Sequence, residues 1–253
     1  MVVTGAGSGI GAALAARFAA EGARVVVNDI DTAAADAVAA RIGATAVACD
    51  AAREPAVLIS RARELLGEID LYCANAGVAR EGGAEAADAD WEQSWQVNVM
   101  AHVRAARELL GPWLARGRGH MISTVSAAGL LTMIGSAPYS VSKHAALAFA
   151  EWMSLTYRHR GITVQAICPQ GVRTPMLDAT GEAGKLILES SAIEPEQVAG
   201  AVIEAMADGR FLVLPHPEVA GYYGIRAAEP DRWLRGMNKL QRALEDRDAG
   251  LPP

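Results

Sequence analysis

The stretch Val2-Val3-Thr4-Gly5-Ala6-Gly7-Ser8-Gly9-Ile10-Gly11 decides how the rest of the chain is read. A short β-branched run passes into a glycine cluster and then into Ala12-Ala13-Leu14-Ala15, a run of strong helix formers. Strand, tight turn and helix in that order put a helix N-terminus directly behind the glycines, and its unpaired N–H groups and dipole suit a pyrophosphate. The strict Gly-x-Gly-x-x-Gly pattern fails, because its third glycine position falls on Ile10; the glycines that stand are Gly5, Gly9 and Gly11. A flexible glycine turn without a ligand is the alternative, and the strand before it and helix after it weigh against that. Gly5, Ser8, Gly9, Ile10 and Gly11 are therefore candidate cofactor contacts.

Outward from this turn, apolar runs alternate with longer Ala/Leu/Arg/Glu segments. Strands are expected at 2–4, 24–28, 45–49, 69–74, 119–124, 162–168 and 211–214, and helices near 9–21, 31–41, 53–66, 90–116, 137–159 and 195–207. That alternation is the sequence form of a doubly wound α/β fold, a parallel sheet of about seven strands with helices on both faces. The strands are nearly continuous apolar runs, as a sheet buried on both sides requires. No repeat or linker divides the 253 residues, so a single domain, 1–253, is expected.

Composition narrows the function. A 51% hydrophobic, 21% charged chain is compact and globular, and a net charge of -6 argues against nucleic acid or anionic membrane as the partner. No apolar run reaches the roughly 18 residues of a membrane helix, and no basic leader precedes an apolar run, so a cytoplasmic protein is expected. Cys49, Cys73 and Cys168 lie in or beside apolar runs and read as buried reduced thiols. The histidines lack metal-ligand spacing, with His216 in a loop between Pro215 and Pro217, and no metal is expected.

Strand two ends Val27-Asn28-Asp29, an acid 18 positions beyond Gly11, where a ribose-binding carboxylate is expected. Asp31 and Thr32 are better placed to cap the next helix, which leaves Asp29 free. Beside a ribose it would repel a 2'-phosphate: two unit charges about 4 Å apart repel by about 4 kcal/mol at an effective dielectric of about 20. No Arg or Lys follows closely, so NAD rather than NADP is the expected cofactor. Asp50, with Ala51, is either an adenine contact or a turn residue. Asn75-Ala76-Gly77 closes strand four at the ligand-binding edge of such sheets.

The long helix near 90–116 carries a stripe of Trp91, Trp95, Val99, His102, Val103, Ala106, Leu110 and Trp113, expected as core or subunit interface. Asn98 lies off that stripe, where helix-interior Asn is mildly unfavourable, and has either a functional role or a solvent-facing one. Ser126 follows strand five. Tyr139 and Lys143, four apart at a helix start, share one face. A phenol of pKa about 10 needs a neighbour that favours its ionised form, and an ammonium is such a neighbour; an ordinary surface helix carries the same pair by chance.

Together, Thr4-Gly-x-x-x-Gly-Ile-Gly11, Asn75-Ala-Gly77, Asn98, Ser126 and Tyr139-x-x-x-Lys143 resemble the short-chain dehydrogenase/reductase family in its compact NAD-dependent branch, over residues 1 to about 215. The resemblance implies a Rossmann-type fold, with Tyr139 as general acid/base, Lys143 on the nicotinamide ribose lowering the Tyr pKa, Ser126 on the reacting oxygen and Asn98 holding a water. It also implies cofactor contacts at Pro169, Val172 and Thr174. The run Pro169-Gln170-Gly171 departs from the family's Pro-Gly and puts the Gln170 side chain near the substrate mouth. By the same resemblance, residues 176–193, with Met176, Leu177, Gly181, Gly184, Leu186, Ile187 and Leu188, form a mostly apolar substrate loop, so Ser126, Tyr139, Gln170 and Met176 are candidate substrate contacts. The tail, 216–253, carries Tyr222, Tyr223 and Trp233 on helices; these pack locally, or Tyr222 or Tyr223 caps the pocket. The function implied is NAD-dependent interconversion of a small to medium apolar secondary alcohol and ketone by a homodimer or homotetramer. A non-catalytic NAD(H)-binding regulatory or scaffold protein is the alternative.

Overall fold

The computed structural model describes residues 1–248, with all side chains except those of residues 182, 183, 186, 247 and 248. Seven parallel strands form one sheet: β1 (Val2–Val3), β2 (Val26–Val27), β3 (Thr45–Ala46), β4 (Leu71–Ala74), β5 (Gly119–Thr124), β6 (Ile162–Ile167) and β7 (Leu212–Val213). Their order is β3-β2-β1-β4-β5-β6-β7, so the order in which strands are added reverses between β1 and β4, where such sheets open a ligand crevice. The connecting helices are α1 (Gly9–Ala20), α2 (Thr32–Ile42), α3 (Pro55–Leu66), α4 (Asp88–Trp95), α5 (Ala101–Arg116), α6 (Ala128–Leu131), α7 (Ala137–Tyr157), α8 (Pro175–Asp178), α9 (Glu182–Leu188) and α10 (Pro195–Asp208). Two further helices, α11 (Glu218–Ala228) and α12 (Pro230–Asp248), form the tail.

Register explains the two-sided core. Val2 pairs with Val26 and Tyr72, and Tyr72 with Met121; this row faces Leu58, Leu109, Trp113 and Met153. Moving one residue along each strand gives Val3, Val27, Cys73 and Ile122, which face Leu14, Phe18, Val198 and Val202. Successive strand residues point to opposite faces, so an uninterrupted apolar run is what covers both. Trp113 anchors the first layer: it is buried, and its indole N–H donates to Ile69 O at 2.7 Å. A Cβ added at Gly119 would lie 2.2 Å from that indole, so the start of β5 tolerates only glycine there.

The strands are shorter than the apolar runs, although single backbone bonds between neighbouring strands continue past their carboxyl ends, such as Val47 N to Val27 O at 2.9 Å and Cys49 N to Asp29 O at 3.1 Å. Thr4 N still donates to Cys73 O at 3.0 Å, while the Thr4 hydroxyl accepts from Asn75 N and Ala76 N at 2.9 and 3.0 Å. The expected helix near 90–116 is interrupted by a π-helical turn at Gln96–Met100, a local widening often found at functional sites. Of its stripe, Val99, His102, Ala106 and Trp113 are buried, whereas Trp95 is exposed. On α7, Leu147 and Met153 are core, while Trp152 is exposed. All three cysteines are free; Cys73 and Cys168 are buried and Cys49 half-buried. Among the described residues no helix is long and apolar enough to cross a membrane. The last five residues of the expected tail, 249–253, and the Leu186 side chain lie outside the described set.

Candidate active site

Loops from the carboxyl ends of β1, β4, β5 and β6 meet around a cavity of about 970 Å³, at the upper end of the usual range of roughly 300–1,000 Å³ for ligand pockets. Gly5 and Gly9 take φ of 59° and 50°, a left-handed backbone that favours glycine. Gly11 is required by proximity: a Cβ there would sit 2.2 Å from Gly5 O. Ser8 is the N-cap of α1, yet its hydroxyl makes no capping hydrogen bond, so hydroxyl and helix N-terminus both face the cavity and are free for an anion.

Asp29 lines this end of the cavity. The sequence leaves it free, but both oxygens are engaged: Oδ2 accepts from Gly7 N at 2.9 Å and Oδ1 from Asp31 N at 3.0 Å. Asp31 does cap α2, accepting from Ala34 N at 3.1 Å. A carboxylate has about four acceptor positions, so Asp29 retains capacity for a ribose hydroxyl while tying the glycine loop to β2. Asp50 serves a turn, its Oδ1 accepting from Ala52 N at 2.8 Å and Arg53 N at 3.2 Å, and with Ala51 it lines the cavity. Asn28 reads in sequence only as the end of β2. Its side chain donates to Val47 O and Cys49 O at 2.9 and 3.1 Å and holds β2 to the chain beyond β3.

At the switch point Asn75 is engaged at both ends of its amide. Nδ2 donates to Thr4 O and Gly5 O at 2.9 and 3.1 Å, and Oδ1 accepts from Thr124 Oγ1 at 2.9 Å. It clamps three strand ends under the cavity and has little left for a ligand, so its contribution is to the floor's shape. Ala76 and Gly77 line the cavity beside it; a Cβ on Gly77 would stand 3.2 Å from Asn98 Oδ1 and 3.5 Å from Lys143 Nζ.

Asn98 is fully buried in the π turn, which excludes a solvent-facing role. Its Oδ1 accepts from Val78 N at 2.9 Å, and Nδ2 donates to Val78 O and Ser142 Oγ at 2.9 and 3.0 Å. Both amide hydrogens are thus engaged by protein partners, and Oδ1 keeps one acceptor position beside the Val78 bond. Ser142 passes the link on by donating to Tyr139 O at 2.8 Å. The π turn therefore braces the backbone of the residue that faces the cavity.

Tyr139 and Lys143 project from the first turns of α7 into the cavity with Ser126 from the loop after β5. Lys143 is buried, its Nζ 2.8 Å from Thr124 O and 5.6 Å from the Tyr139 ring centroid. Burial lowers the ammonium from 10.5 to about 8. The Tyr139 phenol is raised above its ordinary value by burial, with a side-chain hydrogen bond to Ser126 pulling the other way. The expected direction of this shift is therefore not the one found: burial raises the phenol, and the Ser126 hydrogen bond is what opposes it. Ser126 Oγ accepts from Ala128 N at 3.0 Å, which holds the oxygen in place, and the hydroxyl makes a long 3.5 Å contact to Pro169 O.

The loop after β6 completes the rim. Pro169 O accepts from Ala127 N at 2.8 Å, joining this loop to the Ser126 loop. Val172 is buried, and Thr174 caps α8; Thr174 also packs over the glycine loop, its Cγ2 lying 2.8 Å from where a Gly9 Cβ would be. Gln170 and Met176 line the cavity. His216, expected in a loop, is buried: Nδ1 accepts from Gln170 N and Nε2 donates to Ser191 O, both at 3.1 Å. One imidazole thus joins the β6 loop, the end of the substrate loop and the root of the tail. Prolines on both sides hid that role, since they mark only a turn. Tyr222 lines the cavity with Trp233, whereas Tyr223 packs into the main core.

The short chain dehydrogenase family model matches residues 1–184. A 1-deoxy-11-beta-hydroxypentalenate dehydrogenase of Streptomyces exfoliatus is 40% identical over 231 residues, covering 86% of this chain and 82% of that protein. A meso-2,3-butanediol dehydrogenase of Serratia marcescens is 33% identical, covering 82% of this chain and 87% of that one. Among solved structures, a short chain dehydrogenase/reductase from Burkholderia phymatum in complex with NAD superposes with a TM-score of 0.83 at 28% identity, over 91% of this chain and 93% of that one. An actinorhodin polyketide ketoreductase with NADPH superposes with a TM-score of 0.77 at 29% identity, over 84% and 93%. By the family match over most of its length and by these relatives, the chain belongs to the short-chain dehydrogenase/reductase family of oxidoreductases.

Proposed function

We propose that this protein interconverts an apolar secondary alcohol and its ketone with NAD as the cofactor. The observation that carries the reading is the convergence of Ser126, Tyr139 and Lys143 in the cavity whose other end is the glycine loop with Asp29. The residues present fit a dinucleotide: the uncapped Ser8 and the glycine turn suit a pyrophosphate, Asp29 a ribose, Lys143 a second ribose, and Val172 and Thr174 a carboxamide. When bound, a nicotinamide cofactor supplies or accepts the hydride.

The chain's own part is proton chemistry and orientation. In ketone reduction the Tyr139 hydroxyl delivers its proton to the substrate oxygen, and in alcohol oxidation the phenolate removes one from it. Ser126 donates to the same oxygen and sets its distance from Tyr139. Lys143, fixed by Thr124 O, holds positive charge beside the phenolate as it forms. Asp29 supports NAD over NADP through the repulsion between its carboxylate and a 2'-phosphate. Exposed Trp152, Leu155 and Val141 on α7 and Trp95 on α4 support assembly into a homodimer or a twofold-symmetric homotetramer.

NADH and NADPH oxidation against a panel of apolar ketones, with the Tyr139→Phe protein as control, tests this reading. A fall in turnover by about two to four orders of magnitude on substitution is expected; equal turnover by both proteins, or binding of NADH without any turnover, would overturn it.

A further inference from the structure

The family match ends at residue 184, yet five residues of the tail, Glu218, Tyr222, Trp233, Met237 and Leu240, line the same cavity as Tyr139. Residues 233, 237, 240 and 244 recur at helical spacing and form one apolar stripe on an otherwise polar α12, and Leu244, at the end of the stripe, is buried. The Tyr222 and Trp233 rings lie 6.3 Å apart and join α11 to α12. Facing them across the cavity are Met133 and Ile134 after α6, and Met176, Leu177 and Ile187 of the substrate loop.

The tail is fastened in two places. His216 fixes its root, as described. Arg226 fixes its middle: Nη1 donates to Leu130 O at 2.6 Å, and Nη2 lies 3.3 Å from His144 Nε2. His144 Nδ1 lies 2.9 Å from Ser140 O, so that nitrogen carries the hydrogen and Nε2 accepts from the guanidinium. Ser140 is the residue after Tyr139. One planar side chain of the tail therefore grips both the α6 segment and the catalytic helix, a two-point contact that a lysine cannot reproduce.

Charge in this half of the cavity is one-sided. Among the described residues, Lys143 is the only cation lining the cavity, and it is held at the floor; the tail contributes Glu218. A substrate carboxylate would find no free cation and would approach a like charge, which is costly in a desolvated site.

We propose that residues 218–240 form a lid over the active site, latched by Arg226 to the catalytic helix, that selects neutral, ring-sized apolar alcohols or ketones and rejects carboxylates. Arg226 is a positioning residue, acting through the wall it holds. The proposal rests on the oxidoreductase reading above for its substrate class, and its test separates the two.

Steady-state reduction of a bicyclic ketone such as decalone, of butanone, and of a carboxylated decalone is compared for the wild type, Arg226→Ala, Arg226→Lys and Trp233→Ala. Decalone should be preferred to its carboxylated analogue by at least about tenfold in kcat/KM. Arg226→Ala and Trp233→Ala should raise KM for decalone by about tenfold with kcat nearly unchanged and butanone unaffected, and Arg226→Lys should recover part of the loss. Hydrogen exchange supplies a readout without turnover: Arg226→Ala should speed exchange across 218–240 while 137–157 stays protected. Unchanged exchange, or equal KM shifts for both ketones, overturns the latch, and equal rates for the carboxylated ketone overturn the charge selection. Failure of the wild type to reduce any ketone with either cofactor overturns the oxidoreductase reading, while exchange and decalone binding followed by tryptophan fluorescence still decide the lid.

Discussion

Lys143 Nζ lies 5.6 Å from the centroid of the Tyr139 ring while a carbonyl oxygen, that of Thr124, holds it from behind at 2.8 Å. A cation is thus buried beside a proton carrier with no carboxylate among the described residues paired to it. That arrangement is costly to the fold, and its use lies in the site.

The cost is measurable. A drop from 10.5 to about 8 in the Lys143 pKa corresponds to roughly 3 kcal/mol of destabilisation while the amine is charged in both states. Between pH 8 and 10.5 the unfolded chain binds a proton that the folded one does not, so stability from this group rises with pH across that window and the full penalty stands below it. Lys143→Met should therefore be inactive yet more stable than the wild type at pH 7, by about 1–3 kcal/mol after allowing for the Thr124 carbonyl it leaves unpaired. Denaturant titrations of both proteins from pH 7 to 10 should show the gap closing as pH rises; a variant less stable at pH 7 would mean the ammonium is not desolvated.

His102 behaves as the acid counterpart. It is buried, both ring nitrogens lack partners among the described residues, and burial, then the Lys143 charge, lowers its pKa from 6.5 to about 3. Below pH 6.5 the unfolded chain takes up a proton that the fold excludes, so stability is lost as pH falls toward 3. At pH 4.5 the loss is about 3 kcal/mol. In His102→Leu this contribution should vanish, and urea midpoints of the two proteins should diverge between pH 6.5 and 4.5 in the variant's favour. Parallel curves would place the imidazole in contact with water.

Tyr139→Phe keeps the ring and deletes the proton carrier. Turnover should fall by about two to four orders of magnitude, the usual reach of general acid/base catalysis, with NAD affinity nearly unchanged. Lys143→Ala should lower both. Calorimetric NAD titration beside initial rates separates the two signatures, and a Tyr139→Phe enzyme with most of its turnover would remove Tyr139 from the reaction.

On the proposed reading, Asp29 sets the cofactor choice. NAD should bind at least about tenfold tighter than NADP. Asp29→Ser should narrow that ratio and also loosen the glycine loop, because the carboxylate accepts from Gly7 N at 2.9 Å. Fluorescence titration with both dinucleotides reads the ratio; equal affinities in the wild type would mean that Asp29 serves the loop alone.

Assembly is checked by light scattering. A dimer or tetramer is expected at micromolar concentration, and Leu155→Glu, at a position 82% exposed in the single chain, should dissociate it. A monomeric wild type would leave the exposed apolar side chains of α7 without that explanation.

What the sequence determined by itself was whatever short-range rules encode. Apolar runs alternating with helix formers gave the parallel, doubly covered sheet, because a strand buried on both faces has to be apolar throughout. The glycine turn and the Tyr139-Lys143 pair were legible because each is a local spacing with one chemical purpose. Tertiary structure decided what depends on who stands opposite. Asn75 read as a cofactor contact and Asn98 as the holder of a water; the fold shows in addition that their amides tie Thr4, Gly5, Val78 and Ser142 together. Asp29, read as free, is shared with Gly7. Burial of the phenol, which reverses the expected shift at Tyr139, is a property of the surrounding chain and is written in no single motif. The grips of His216 and Arg226 join residues 46 and 96 positions away, His216 to Gln170 and Arg226 to Leu130, and only a folded chain brings such partners together.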